Sequence, residues 1–146
     1  MRPSLPAPST LVLAVSAGLV ALGVAVNGGF EPSVRTIPAL VVTVVGLAGV
    51  ASSVADRPLE SLRLAARRWW MLAFVTFLPY GLATAPSSEE AKAVGDAFSG
   101  PIAVTALEAA AGATLLCAVT ITTLYWFGSY GVHPGRQTPE ERLLDD

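Results

Sequence analysis

The chain has few of the side chains on which most protein chemistry depends. Its 146 residues include one cysteine, Cys117, and one histidine, His133. A disulfide within the chain is therefore excluded, and so is a zinc site built from clustered cysteine and histidine ligands. We expect Cys117, in the middle of an apolar stretch, to act as a small apolar side chain, and His133 to be solvated.

Charge is also scarce. Charged residues make up 14% of the sequence, whereas an average soluble domain carries about 25%. A soluble domain of this length would still expose about a third of the surface of its unfolded chain, and polar groups would have to cover it. The formal net charge of −2 gives no basis for binding nucleic acid.

Catalytic motifs are missing as well. The sequence contains no hydrolase, kinase, dinucleotide-binding or zinc motif. An enzyme acting on lipid would need histidines or paired carboxylates that the apolar part of the chain lacks. We therefore expect no enzymatic activity and no cofactor.

What the sequence does contain is four long stretches without charge, which predict membrane-spanning helices. The stretches are residues 3–30, 36–55, 69–88 and 109–135. Crossing a hydrocarbon core of roughly 30 Å takes about 20 helical residues. Helix-starting prolines and helix-ending glycines refine the bounds of the spans. The predicted spans are residues 9–26, 36–55, 69–85 and 101–130.

The predicted fold is therefore an all-α integral membrane four-helix bundle, forming a single transmembrane domain over residues 9–130. Residues 1–8 and 131–146 are the predicted tails. The first apolar stretch has the general order of a signal peptide, but it is longer than a usual signal core and no clear cleavage site follows it. We expect it to be retained as a span. The richness in Ala, Val, Gly and Arg indicates a prokaryotic source.

A short amphipathic helix is predicted before the third span, in residues 56–68. Apolar residues recur there at helical spacing on one face, and arginines occupy another. Such a helix lies at the membrane surface. Arg63, Arg67 and Arg68 are candidates for contact with anionic lipid headgroups. The alternative is that they only anchor the orientation of the third span.

The basic residues predict the orientation of this topology. Seven of them lie in the tails and in segment 56–68, on one side of the membrane, and only Arg35 and Lys92 lie on the other. Cytoplasmic loops carry an excess of basic residues. We therefore expect a multi-pass protein of the plasma membrane with both termini in the cytoplasm.

Glu108 is the candidate site residue of the apolar regions. Thr105 and Gly112 share its helix face, about one turn away on either side. Ionisable residues inside a membrane are costly and often functional. Glu108 either binds an ion or a proton within the bundle or lies at the outer water interface. A polar cavity between helices at Glu108 would favour the first interpretation, and contact of Glu108 with headgroups and water would favour the second.

A proline interrupts the third predicted span. Pro79 cannot donate a backbone hydrogen bond, so the carbonyl of Val75 loses its partner and the helix bends. A neighbouring hydroxyl can satisfy the freed carbonyl. Thr76 is the candidate for this role.

Two functions remain open at this point. The first is a non-enzymatic subunit or scaffold of a membrane assembly, with membrane lipids and a homo-oligomer or other membrane subunits as partners. Small-residue pairs in the first span, Ala14 with Gly18 and Ala17 with Ala21, favour such helix contacts. The second is an oligomeric small transporter or channel that binds an ion or proton at Glu108.

Overall fold

A computed structural model describes residues 8–28 and 32–131, most of which are α-helical. The helices are α1 (Pro8–Asn27), α2 (Thr36–Val54), α3 (Leu59–Thr84), α4 (Glu89–Gly95) and α5 (Pro101–Ser129), with a 3-10 turn at Asp96–Phe98. No strand occurs in the described residues, which confirms the all-α class for them. The two predicted tails, with His133, lie outside the described residues except for residues 8 and 131.

Among the helices of the described residues, three are long and apolar enough to cross a membrane. They are Ser9–Asn27, Thr36–Val54 and Pro101–Ser129. α3 is not among them, because any stretch of α3 long enough to cross the hydrocarbon core includes Arg67 and Arg68. The chain therefore has the apolar helices of a membrane protein, and α3 is a fourth long helix beside them.

The prediction of a separate interfacial helix in residues 56–68 is wrong. Residues of that segment and of the third predicted span form one continuous helix, α3, which begins after Pro58. Neither glycine nor proline occurs between Leu59 and Leu78, and the segment is rich in Ala, Leu and Arg, which are strong helix formers. Nothing local therefore ends a helix at Trp69, and the arginines lie on the first turns of a long helix.

Local signals account for the helix ends. α1 stops at Gly28, whose φ of +56° lies in the left-handed region that glycine adopts without strain. Pro38 lies in the first turn of α2, and Pro101 is the first residue of α5, positions where a missing N–H costs little. The Ser88 hydroxyl caps α4 by accepting a hydrogen bond of 3.1 Å from the N–H of Ala91.

Pro79 lies inside α3, but Thr76 does not have the role predicted for it. Its hydroxyl lies 2.9 Å from the carbonyl oxygen of Leu72 and 3.1 Å from that of Ala73, and it donates to these rather than to Val75. A threonine hydroxyl in a helix reaches the carbonyls three or four residues earlier. The carbonyl of Val75, one residue earlier, points along the helix away from it.

α1 and α2 form an antiparallel pair in close contact. Gly23 of α1 lies against Thr43 of α2, and Gly46 of α2 lies against Ser16 and Val20 of α1. A methyl group on Gly46 would lie 2.8 Å from the backbone oxygen of Ser16. The two backbones therefore approach so closely that only glycine fits, as is common where helices pack in membranes.

The two predicted small-residue pairs of α1 differ in their surroundings. Ala17 and Ala21 are half-buried and pack against the core. Ala14 and Gly18 are exposed, and a methyl group on Gly18 would meet nothing within 4 Å. Among the described residues, Gly18 therefore has open space beside it, whereas Ala17 and Ala21 pack against the core.

α3 and α5 form a second antiparallel pair. Three contacts define their register, and the residue numbers rise along α3 as they fall along α5. The contacts are the Leu59 side chain with Gly128, Trp70 Nε1 with Thr122 Oγ1 at 3.0 Å, and Thr76 Oγ1 with Thr114 Oγ1 at 2.9 Å.

The pairing of the helices gives the bundle two distinct ends. α2 and α3 are joined by only four residues, 55–58, so the end of α2 and the start of α3 lie at the same end. We call this the arginine end; it also holds the start of α1 and the end of α5. The opposite end, where α1 and α3 stop and α2 and α5 begin, is the Glu108 end.

The buried core lies between the helices toward the arginine end. Its fully buried side chains are Val20, Val50, Val54, Cys117 and Ile121. The expectation that Cys117 acts as a small apolar side chain agrees with this position, where it packs between helices. Among the described residues the core cluster contains no charged side chain, so apolar packing is the main interaction between the four long helices there.

The outer surface of the long helices is apolar. On α3, every large apolar side chain between Trp70 and Leu78 is exposed, with Met71 61% and Phe74 69% accessible. Such a continuous exposed apolar surface is far larger than soluble monomers carry. It is the surface expected of helices solvated by lipid.

Candidate functional site

A cavity of about 320 Å³ lies between the four long helices in the half of the bundle toward the Glu108 end. α2 and α3 both pack against α5 but make at most marginal contact with each other, and the cavity occupies the gap between them. The residues lining it are Gly23, Val24 and Asn27 of α1, Ala39, Leu40 and Thr43 of α2, Phe77 and Tyr80 of α3, and Glu108, Ala111, Gly112, Leu115 and Leu116 of α5.

The cavity extends inward from the level at which α1 ends. Gly112 lies against Val24. Asn27, three residues beyond Val24, and Glu108, four residues beyond Gly112, are both roughly 5 Å farther along the helix axes. Leu116, at the inner limit, is about 12 Å from Glu108 along α5. Glu108 therefore lies at the outer boundary of the apolar region, with the cavity beneath it.

Four polar side chains of the described residues line the cavity, and one of them, Glu108, is acidic. Glu108 is half-buried. The Thr43 hydroxyl donates a 2.8 Å hydrogen bond to the carbonyl of Ala39. The Oδ1 atom of Asn27 is shielded from solvent. The cavity therefore suits a ligand that carries one positive charge and is otherwise apolar.

Two aromatic rings of α3 form part of the wall. The ring centroids of Phe77 and Tyr80 are 6.0 Å apart, and the ring planes are inclined at 57°. Because Thr76 pairs with Thr114 in the antiparallel register, Tyr80 is level with about residue 110 of α5, within a turn of Glu108. Phe77, three residues before Tyr80, is level with about residue 113. Tyr80 therefore lines the cavity at the level of Glu108, and Phe77 lines it somewhat deeper.

Gly112 and Thr105, which helical spacing places on the same face as Glu108, have different surroundings in the structure. Gly112 lines the cavity, where a methyl group would lie 2.9 Å from a methyl carbon of Val24. Thr105 is exposed and does not line the cavity. Its hydroxyl donates to the carbonyl of Pro101 at 2.9 Å. Glu108 and Gly112 thus belong to one site, and Thr105 lies outside it.

Arg63, Arg67 and Arg68 lie at the opposite end of the bundle from this cavity. All three are exposed on the first turns of α3. Counting back from the contact of Trp70 with Thr122, Arg67 and Arg68 are level with about residues 125 and 124 of α5. They form a surface group that is separate from Glu108.

Charge is divided unequally between the two ends of the described chain. The arginine end carries four arginines and two acidic side chains: Arg57, Arg63, Arg67, Arg68, Asp56 and Glu60. The Glu108 end carries two basic and four acidic side chains: Arg35, Lys92, Glu89, Glu90, Asp96 and Glu108. The excess of basic residues therefore lies at the arginine end within residues 8–28 and 32–131.

Sequence reasoning missed most of the cavity wall. The sequence alone indicates no ligand-binding role for Asn27, Thr43, Phe77 or Tyr80. The three-residue spacing of Phe77 and Tyr80 places them on one face of α3. No sequence signal indicates that this face meets Glu108, which lies almost thirty residues farther along the chain.

The described residues hold no group of three or more His, Cys, Asp or Glu side chains that could bind a metal ion. Comparison with protein-family models, with curated proteins and with solved structures finds no match to this chain. The cavity and its residues are therefore the features that indicate a function.

Proposed function

We propose that this chain is a four-span protein of the plasma membrane, with both termini in the cytoplasm, that binds a small positively charged ligand at Glu108. This corresponds to the transporter or channel interpretation, in which Glu108 holds an ion or a proton. The observation that carries the proposal is the position of Glu108 in a cavity shared by all four long helices.

The proposal makes α3 the fourth span. Its support is the unbroken row of exposed apolar side chains from Trp70 to Leu78 and the pairing of α3 with α5 along most of its length. As a span, α3 brings Arg67 and Arg68 close to the cytoplasmic boundary. Long arginine side chains reach from there to the headgroups, where they can contact anionic lipids.

The proposed orientation is supported by the unequal charge of the two ends. The arginine end, with its four arginines, then faces the cytoplasm, in agreement with the positive-inside rule. The Glu108 cavity consequently opens in the outer half of the membrane. Its ligand would come from outside the cell or from the outer leaflet.

Binding of a cation follows from the electrostatics of the cavity. Glu108 is half-buried at the boundary of the apolar region, where the effective dielectric constant is below that of bulk water and opposite charges attract each other more strongly than in water. Tyr80, Asn27 and Thr43 add polar atoms to the same wall. The cavity volume of about 320 Å³ lies at the lower end of the range for small-ligand sites.

The test is equilibrium binding of a panel of cations to the detergent-purified full chain, measured by calorimetry. The panel contains protons, sodium, magnesium, tetramethylammonium and benzyltrimethylammonium. We expect at least one cation to bind the native chain and the E89Q variant, and to bind E108Q at least about tenfold more weakly. Glu89 is an exposed carboxylate at the same end, so E89Q is the matched control. No binding to the native chain, or equal binding to E108Q, would contradict the proposal.

A second candidate function is that of a non-enzymatic subunit of a membrane assembly. The observation that favours it is the exposed Ala14 and Gly18 pair of α1, beside which another helix finds open space. Purification in a mild detergent, followed by mass spectrometry of co-purifying chains, tests it. A partner that is retained by the native chain and lost in G18L would support this function, and an isolated monomer would contradict it.

A further inference from the structure

The composition of the cavity wall indicates the chemical class of the ligand as well as the sign of its charge. The inferred chemical class of the ligand rests on the proposed binding of a cation at Glu108. The wall combines one carboxylate, two aromatic rings and a majority of apolar side chains. Each of these three features favours a different property of the ligand.

Metal ions are poorly matched to this wall. Magnesium requires about six oxygen ligands in octahedral geometry and calcium six to eight. The oxygen-bearing side chains of the wall are Asn27, Thr43, Tyr80 and Glu108, one from each long helix and with a single carboxylate among them. A dehydrated metal ion would also leave most of the 320 Å³ unfilled.

The two rings favour an organic ammonium group. The ring planes of Phe77 and Tyr80 are inclined at 57° with centroids 6.0 Å apart, and both rings line the cavity. Aromatic faces attract cations through the ring quadrupole, and sites for quaternary ammonium groups are commonly built from several such rings. Alkylated ammonium ions are more weakly hydrated than metal ions, and pairing with the Glu108 carboxylate offsets part of the cost of burying their charge.

The depth of the cavity favours an apolar substituent on that ammonium group. Glu108 lies at the boundary of the apolar region, and the cavity continues about 12 Å inward to Leu116. The inner wall consists of apolar residues such as Val24, Ala111 and Leu115. A ligand with its charge near Glu108 can therefore bury an apolar group below.

We infer that the cavity binds an amphiphilic organic ammonium ion, with its charged group at Glu108, Phe77 and Tyr80 and its apolar substituent toward Leu116. The occupant is a small solute, because the cavity is far smaller than a whole phospholipid. Glu108 supplies the counter-charge, the two rings contact the alkylated nitrogen, and the apolar wall selects the substituent.

The first part of the test compares cations of the panel on the native full chain in nanodiscs. Benzyltrimethylammonium is expected to bind at least about tenfold more tightly than tetramethylammonium, because only the former buries an apolar group. Sodium is expected to bind more weakly than both. Tighter binding of sodium or magnesium, lost in E108Q, would overturn this inference while leaving the proposed function intact.

The second part tests the rings. F77L and Y80L are each expected to weaken binding of benzyltrimethylammonium by about threefold to thirtyfold, whereas Y80F, which keeps the ring, retains it. F74L is the matched control, because Phe74 is an exposed phenylalanine of the same helix that does not line the cavity. Equal binding by F77L, Y80L and F74L, with each variant monodisperse and helical, would overturn the role of the rings.

The third part distinguishes a solute from a lipid headgroup that carries the same ammonium chemistry. Binding of benzyltrimethylammonium is measured in phosphatidylcholine and in phosphatidylglycerol nanodiscs, each against E108Q in the same lipid. A similar ratio of native to E108Q affinity in both lipids supports a solute. A ratio at least tenfold smaller in phosphatidylcholine would show that the choline headgroup occupies the site and would overturn the assignment to a solute.

Discussion

Thr76 and Thr114 face each other across the α3–α5 interface, with their hydroxyl oxygens 2.9 Å apart. Each hydroxyl also lies within hydrogen-bond distance of a carbonyl oxygen of its own helix, Leu72 for Thr76 and Ala110 for Thr114. The pair therefore connects the two helices by a side-chain hydrogen bond within an apolar interface. It also sets the register that brings Tyr80 to the level of Glu108.

The first prediction concerns this hydrogen bond. T76V and T114V each remove one hydroxyl while keeping a similar shape, and each is expected to lower the free energy of unfolding by about 1 kcal/mol. The double variant is expected to show a coupling energy of about 0.6 kcal/mol, the average for such bonds between membrane helices. Unfolding in mixed detergent micelles measures it. Additive single effects would show that the two hydroxyls do not interact.

The second prediction compares two glycines of the α1–α2 hairpin. G46A is expected to destabilise the protein by about 1–3 kcal/mol, because its methyl group would overlap with the α1 backbone at Ser16 and Val20. G18A meets nothing within 4 Å and is expected to be neutral or to stabilise α1 by up to about 1 kcal/mol. Thermal unfolding of both variants in one detergent provides the measurement. Equal loss of stability in the two would contradict the close contact at Gly46.

The third prediction concerns the orientation in the membrane. A cysteine at position 92 is expected to react with an impermeant maleimide in intact cells, and one at position 63 only after permeabilisation. Both positions are exposed in the structure. The native chain is the control, because Cys117 is fully buried and is expected to stay unlabelled until the protein is denatured. The reverse pattern would invert the proposed topology.

The fourth prediction concerns pH at the start of α4. A hydrogen bond from its own backbone N–H, and a second from the Ser88 hydroxyl, hold the pKa of Glu90 below its usual 4.5. A carboxyl whose pKa is lowered by folding stabilises the folded state above its unfolded pKa, and this contribution is lost as the pH falls through the folded value. The first turn of α4 is therefore expected to loosen only below pH 4.5.

Carboxyl-carbon NMR of the native chain and of S88A tests this pH dependence. The midpoint for Glu90 is expected below 4.5 in the native chain and closer to 4.5 in S88A, which also loses the cap on the N–H of Ala91. Hydrogen exchange at Ala91 reports the loosening directly. An unchanged midpoint in S88A would show that the Ser88 hydroxyl does not act on Glu90.

The helices themselves could be predicted closely from the sequence. Gly28, Pro38 and Pro101 act on the few residues around them, so the bounds of α1, α2 and α5 follow from short-range rules. The prediction of a separate helix in residues 56–68 is wrong, because a change of composition does not by itself end a helix. Composition changes at Trp69, but nothing there ends a helix, and α3 continues through it.

The candidate site could be predicted only in part. Glu108 was recognisable because a lone carboxylate beside a long apolar stretch is unusual. Gly112 followed from helical spacing, and so did Thr105, which the structure leaves outside the cavity. Phe77 and Tyr80 could not be found, because aromatic residues in an apolar helix are common and their spacing does not say which helix they face.

The sequence by itself determined that this chain is helical and that its apolar helices suit lipid, because runs without charge and helix-ending residues act locally. Only the tertiary structure decided that Glu108, Tyr80 and Asn27 line one cavity. In a soluble protein the polar face of a helix shows which side is buried, but a helix in lipid is apolar on all sides. A helix that is apolar on all sides does not show which of its sides faces another helix. The contacts of Gly46, Thr76 and Gly112 with neighbouring helices show this in the tertiary structure.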